Sequence, residues 1–336
     1  MTSALLVLAT PALAFDDATY KGRFAPEFYK AGQLRTLAIL PFTGPDAAEF
    51  TNALSAELGK QTLNGENWFT IKPATTKEDN PASAGKALGV AGIVSGNVVS
   101  AKLTRTDRIE PAKKGGKSGA TDAGTPCTRI VLQYTVRAQV HDVANGATVY
   151  DKTQSAQDGY DVCNGKGQAI PDETDPGLFV KAAKALTGGP KKDAFAVDYS
   201  EDALFQRVRG VVAGRIRADI TPYNKDVSFE LKREARELPK PMQLTFESAN
   251  PFVKAGEINR ACSIWQGLAN EPAAATSVSL LYNLGACEEY LTPENPIAAL
   301  EIYAKANQLV SKPDKLLTPA LKRAREMVDN QQKIGS

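Results

Sequence analysis

Hydrophobic and polar positions divide the chain into two halves of different period. In the first half, apolar runs of strand length alternate with stretches of helical spacing. TLAILPF at Thr36–Phe42 is a continuous apolar run stopped by Gly44-Pro45, the pattern of a buried strand. Asp46 stands where it can cap the following helix, whose Phe50, Leu54 and Leu58 recur every fourth position. WFTIK at Trp68–Lys72 predicts a second strand, Ala82–Leu88 a short helix, and Gly92–Leu103 a third strand. This β-α-β-α-β order favours one sheet with helices packed against it. Arg129–Val143 and Ala147–Gln157 flank Asn145-Gly146, a strong short hairpin signal. A helix over Glu201–Asp219, carrying Leu204, Val208, Val211, Val212 and Ile216, closes this half before Pro222.

The second half is alanine-rich and helical after a linker punctuated by Pro239 and Pro241. Here Ala261-x3-Trp265-x2-Leu268 recurs as Ala299-x3-Tyr303-x2-Ala306, offset by 38 residues, with Gly285 ahead of the second copy. A single such unit cannot bury both of its faces alone, so it must pack against a neighbour.

Composition narrows the function. With 336 residues, 43% hydrophobic and 23% charged, neither disorder over most of the length nor polytopic membrane insertion fits. The 40 Lys+Arg are balanced by 38 Asp+Glu, which argues against a nucleic-acid partner. The single histidine, His141, and four cysteines leave little room for zinc. His141 shares a strand face with Arg137 and Gln139 and is expected to be exposed, with no nucleophile motif to serve. Gly115-Gly116-Lys117-Ser118 is not a phosphate loop, because Pro111 stands where the pattern requires glycine. Asp172, Glu173 and Asp175 lack the spacing of a calcium loop. No catalytic residue, cofactor or metal is therefore assigned.

MTSALLVLATPALA at the amino terminus is an apolar run ending in Ala12-Leu13-Ala14, the small-x-small pattern of a cleaved secretory signal. It is shorter than the roughly 20 residues that span a bilayer. The expectation is export to the periplasm with no membrane span. An oxidising compartment favours pairing of the cysteines. Residues opposed across the Asn145-Gly146 turn place Cys127 almost opposite Cys163, and a helix–helix loop near Asn270–Thr276 brings Cys262 within a helical turn of Cys287. The alternative for each pair is free thiols packed as small hydrophobes.

The ordered set RTLAILPF, WFTIKP, ALGVAGIVSGNVVSAKL and YTVRAQVHDVANGATVYDKT, over about residues 34–222, resembles the TolB amino-terminal domain and the related periplasmic domain of CsgG. The lipidated cysteine of the CsgG pattern is absent. Residues 250–313 resemble the tetratricopeptide repeat, with Ala261, Ala299 and Ala306 where helices cross and Trp265 and Tyr303 as inward aromatic knobs. The resemblances imply an α/β (α+β) domain followed by an all-α helical-repeat domain, in a non-enzymatic protein of envelope assembly or secretion.

The expected organisation is a signal peptide at 1–14, a lead-in at 15–33, an α/β domain at 34–222 with a flexible insert at 104–126, a linker at 223–242 and a helical domain at 243–336. The function expected is that of a periplasmic interaction or assembly factor. Its alternatives are a subunit of an oligomeric envelope ring or secretion channel, and an enzyme of envelope polymers. A protein partner is expected on the helical half, with Tyr282 and Asn283 as the groove-facing contacts. The lysine-bearing insert is a candidate for an anionic envelope ligand, and self-association fits the ring reading.

Overall fold

The computed structural model of the chain describes residues 17–63, 65–74, 80–110, 124–170 and 198–335. It separates into two compact units, one comprising Lys30–Thr221 and the other the chain up to Tyr29 together with Pro222 onward. The segments expected as a lead-in and a linker are strands instead. Strand β1 (Asp17–Phe24) pairs antiparallel with β10 (Tyr223–Glu230), so both segments belong to the helical unit. The physical reason lies in their apolar members: Ala18, Tyr20 and Phe229 are buried in the helical core, where a solvated lead-in and linker would have left them in water.

The α/β unit holds a six-stranded mixed sheet in the order β5-β2-β6-β7-β8-β9. β2 (Thr36–Ile39) runs parallel to both β5 (Thr70–Pro73) and β6 (Gly92–Glu110). β7 (Thr125–Asp142), β8 (Thr148–Cys163) and β9 (Lys166–Ala169) add antiparallel. A small hairpin of β3 (Thr62–Leu63) and β4 (Glu66–Asn67) precedes β5. One face of the sheet is covered by α2 (Ala47–Gly59) and α4 (Glu201–Ile220), and α3 (Pro81–Leu88) packs on the other against β6 and β7. A short helical turn, α1 (Tyr29–Gly32), leads into β2.

The helices start where the side chains supply caps. Asn80 accepts from the N–H groups of Ala82 and Ser83 at α3, and Ser200 accepts from Ala203 N–H at α4. The covered face of β7 carries Leu132, Tyr134, Val136, Ala138 and Val140, all fully buried, against Phe50, Leu54 and Leu58 of α2 and Leu204, Val208 and Val212 of α4. Alternation with polar residues leaves the middle of the opposite face of β7, around Gln133 and Arg137, to water.

The insert expected at 104–126 is strand as far as Glu110 and again from Thr125. No apolar alternation marks this stretch because cross-strand polar pairs hold it: Thr128 donates to Asp107 at 2.7 Å and Arg108 pairs with the buried Asp161 at 2.6 Å. Residues 111–123, with the glycine-lysine motif and the candidate anionic-ligand segment, lie outside the described residues, as do the signal segment and Asp172, Glu173 and Asp175.

The helical unit continues from β10 through α5 (Lys240–Glu247), α6 (Asn250–Lys254), α7 (Ile258–Leu268), a 3-10 turn (Pro272–Thr276), α8 (Val278–Leu291), α9 (Pro296–Gln308) and α10 (Leu317–Ile334). α7, α8, α9 and α10 pack in succession around a core that includes Trp265, Leu280, Tyr303 and Leu317. The fold is thus a mixed α/β domain together with a helical carboxy-terminal region, as expected.

Candidate functional site

The repeat residues build a framework. Ala261, Trp265, Ala299, Tyr303 and Ala306 are all fully buried. Trp265 donates its indole N–H to the Phe246 carbonyl at 3.1 Å, which satisfies the polar edge of a buried ring. A Cβ on Gly285 would meet the Tyr303 ring at 2.6 Å, so only glycine lets α8 and α9 approach this closely. Beside Tyr303 lies a buried ion pair: Arg323 donates to Glu289 at 2.6 Å, and the Tyr303 hydroxyl donates to the same carboxylate at 3.1 Å. Burial raises the Glu289 carboxyl above its ordinary range, against the bonds from Arg323 and Tyr303. This pair was missed from sequence, although a signal existed: Glu289 stands four residues after Gly285 and seven after Tyr282, on the buried helical face.

From the end of β10 the chain runs without regular structure to α5, along α8. The Tyr282 hydroxyl donates to the Glu230 carbonyl at 2.6 Å. Asn283 Nδ2 donates to the Lys232 carbonyl at 2.8 Å, and Asn283 Oδ1 accepts from the Lys232 N–H at 2.9 Å. Lys232 Nζ reaches Asp314 at 2.7 Å. The Glu237 carboxylate accepts from the Ser277 hydroxyl at 2.9 Å and the Ser279 N–H at 2.6 Å, at the start of α8. Leu231, Ala235 and Leu238 are buried between these polar anchors.

This arrangement corrects the expectation for Tyr282 and Asn283. Both are buried, at 1% and 0% exposure, and their polar tips are spent on the chain's own strap instead of facing a partner. A buried carboxamide must find a donor and an acceptor, and the strap leaving β10 supplies both from one residue. An open groove of about 460 Å³ lies beside the strap, lined among others by Glu230, Arg233, Arg236, Ser279 and Leu316.

The α/β unit presents a different kind of surface. The outward face of β6, β7 and β8 carries Lys102, Thr104, Thr106, Gln133, Arg137, Asp151, Thr153, Ser155 and Gln157, all exposed. Its side chains are tied pairwise across the strands. Gln133 donates to Gln157 at 3.1 Å, Thr135 and Ser155 share a bond of 3.0 Å, and Arg137 and Gln139 both donate to Asp151. Bonds from Arg137 and Gln139 lower the Asp151 carboxyl to about 2. His141 is half-buried at the end of this face, its Nδ1 3.2 Å from the Thr148 hydroxyl. Burial lowers its pKa, against the charge of Asp151. Among the described residues no serine or cysteine nucleophile is bonded to it, and the arrangement is that of a strand-end pair.

The inward face of β8 supplies a further polar lock that sequence reasoning missed. Tyr150, Lys152 and Gln154, at alternate positions, all donate to Asp219 of α4, at 3.0, 3.1 and 2.6 Å. Both cysteine pairs stand at bonding distance. Cys127 and Cys163 are direct partners across β7 and β8, and Cys262 of α7 meets Cys287 of α8. Glu110 lies near the first pair, whose sulfurs are committed to each other. Among the described residues no helix is long and apolar enough to cross a membrane.

No family model matches the sequence, and no curated protein matches it. Solved structures with partial likeness include the PelC dodecamer of Paraburkholderia phytofirmans, at 12% identity over 61% of this chain and 98% of that one, with a TM-score of 0.24. A minor lipoprotein of Acinetobacter baumannii is similar at 14% identity over 56% and 90% of the two chains, TM-score 0.26. Lipoprotein GNA1162 of Neisseria meningitidis is similar at 12% identity over 46% and 95%, TM-score 0.26. At TM-scores this low the likeness does not define a shared fold.

Proposed function

We propose that the protein is a non-enzymatic periplasmic interaction or assembly factor of the bacterial cell envelope, and that it holds a protein partner on the outward face of β6, β7 and β8. The observation that carries this reading is the cross-strand pairing of that face. Polar side chains already held in pairs offer hydrogen-bonding groups to a partner with little rotamer entropy left to lose. The strap along α8 already occupies Tyr282 and Asn283, which moves the partner contact away from the helical groove. Two cysteine pairs at bonding distance fit an oxidising compartment, as does the apolar leader.

Affinity capture from detergent-solubilised envelopes tests the reading. The unaltered chain should retain a protein partner, and Thr135→Lys with Ser155→Glu, an opposed pair in the middle of the face, should abolish that capture by its bulk while the opposite charges keep the melting temperature near that of the unaltered chain. Capture that survives the double substitution overturns the assignment of the face. Release of soluble fragments from purified peptidoglycan by the unaltered chain would make the protein an enzyme instead.

A further inference from the structure

Charge is unevenly placed in the helical unit. Between Lys305 and Arg325 the sequence holds six cationic residues and one acidic residue, Asp314, in a chain whose net charge is only +2. Two of these charges are spent internally: Arg323 on the buried Glu289, and Asp314 on Lys232. The remaining five cations, Lys305, Lys312, Lys315, Lys322 and Arg325, are all exposed, and none forms an ion pair among the described residues. They lie on the last turns of α9, the connection after it, and the first half of α10, so they gather at one end of a packed helix pair. Glu301 and Glu326 border the patch and are outnumbered by it.

The same end exposes apolar groups. Leu309 is 42% exposed, and Pro313 and Pro319 later in the same stretch are exposed too. Exposed cations on the same stretch of chain as a partly exposed aliphatic side chain match the headgroup region of an anionic bilayer, where lysine stems lie along the apolar boundary and their charges meet phosphates. A nucleic acid fits less well, because residues 305–325 contain no aromatic side chain on which bases could stack.

We infer that the α9–α10 end of the helical unit, through Lys305, Lys312, Lys315, Lys322, Arg325 and Leu309, docks on a membrane surface rich in anionic phospholipid. The inference is independent of the protein contact proposed for the sheet face, since binding of pure protein to lipid needs no partner.

Flotation of the purified full chain with phosphatidylethanolamine–phosphatidylglycerol vesicles, against vesicles of phosphatidylcholine alone, tests it. The chain should float with the first and not the second, and added salt should release it. Changing all five cations to glutamine should weaken the binding at least about a hundredfold, given roughly a tenfold step for every one or two charges removed near an anionic surface. All five are exposed, so the variant should melt with the unaltered protein. Leu309→Ser should weaken binding several-fold. Equal flotation of the five-site variant, or no preference for phosphatidylglycerol, overturns the inference. Tighter binding of inorganic polyphosphate than of the vesicles also overturns it, by making the patch a site for a soluble anion.

Discussion

Asn283 closes both ends of its carboxamide on the backbone of one residue, Lys232, accepting from its N–H at 2.9 Å and donating to its carbonyl at 2.8 Å. Asn283→Ala would strip the side-chain partner from two backbone groups of Lys232 in a partly buried setting. The expected loss is about 2–4 kcal/mol, read as a fall in denaturant midpoint at unchanged slope. A residue kept free for a partner would show no such loss.

The strap and β1 complete the helical core, so a fragment beginning at Pro241 should not fold. It lacks Ala18, Tyr20, Phe229, Leu231, Ala235 and Leu238. Phe24 and Tyr223 are direct partners in the β1–β10 ladder, so a short Gly/Ser link from Ala25 to Pro222 should instead yield a folded unit. Circular dichroism of the two chains decides this: a cooperative melt from the shorter fragment would contradict the role given to the strap.

Asp46 precedes α2 in a left-handed conformation, φ 62°, and caps nothing. Its carboxylate instead accepts from Arg209 Nε and Nη2 at 2.6 and 2.7 Å and from the Tyr134 hydroxyl at 2.8 Å. Asp46→Ala removes the partner of a largely buried guanidinium and keeps the strained φ, so it should destabilise the α/β unit by about 3–5 kcal/mol. Asp46→Gly relieves the backbone and should recover about 1 kcal/mol of that loss. Equal melting of the two variants would refute the strain.

Stability of the helical unit should depend on acid through Asp314 and Glu237. Burial works against both, yet Lys232 and the N–H groups of Leu316 and Leu317 hold Asp314 below its ordinary value. For Glu237, bonds from Ser279 and Ser277 do the same. A carboxyl lowered on folding contributes fully above its unfolded pKa, near 4, and the contribution is lost as pH falls through the folded value. Glu289, raised by burial, works in the opposite sense, so the check is a difference: below about pH 4 the melting temperature of the unaltered chain should fall more steeply than that of Asp314→Asn.

The cysteine pairs close segments of 36 and 25 residues. In the chain-entropy picture each contributes roughly 3–4 kcal/mol. Peptide mapping without reductant should find Cys127 linked to Cys163 and Cys262 linked to Cys287, and free thiols at any of the four would contradict the assignment.

Much of the fold is local and was legible in the sequence. Period and punctuation placed β2, α2, α4 and the Asn145-Gly146 hairpin, because alternation and fourfold spacing are properties of neighbours along one chain. The cysteine registers followed from counting across a turn, for the same reason. Three things were decided only by tertiary structure. Residues 17–24 and 223–230 look like lead-in and linker in sequence, and they become strands because each supplies the edge the other needs, across an insertion of nearly 200 residues. Asn283 looks like a contact for a partner, and it becomes internal because the nearest unsatisfied backbone belongs to its own chain. Asp46 looks like a helix cap, and it serves Arg209 because a charge-assisted bidentate bond in a largely buried setting outweighs a capping bond at a solvated helix start. In each case a polar or edge group chose among partners distant in sequence, and only the packed core brings those partners within reach.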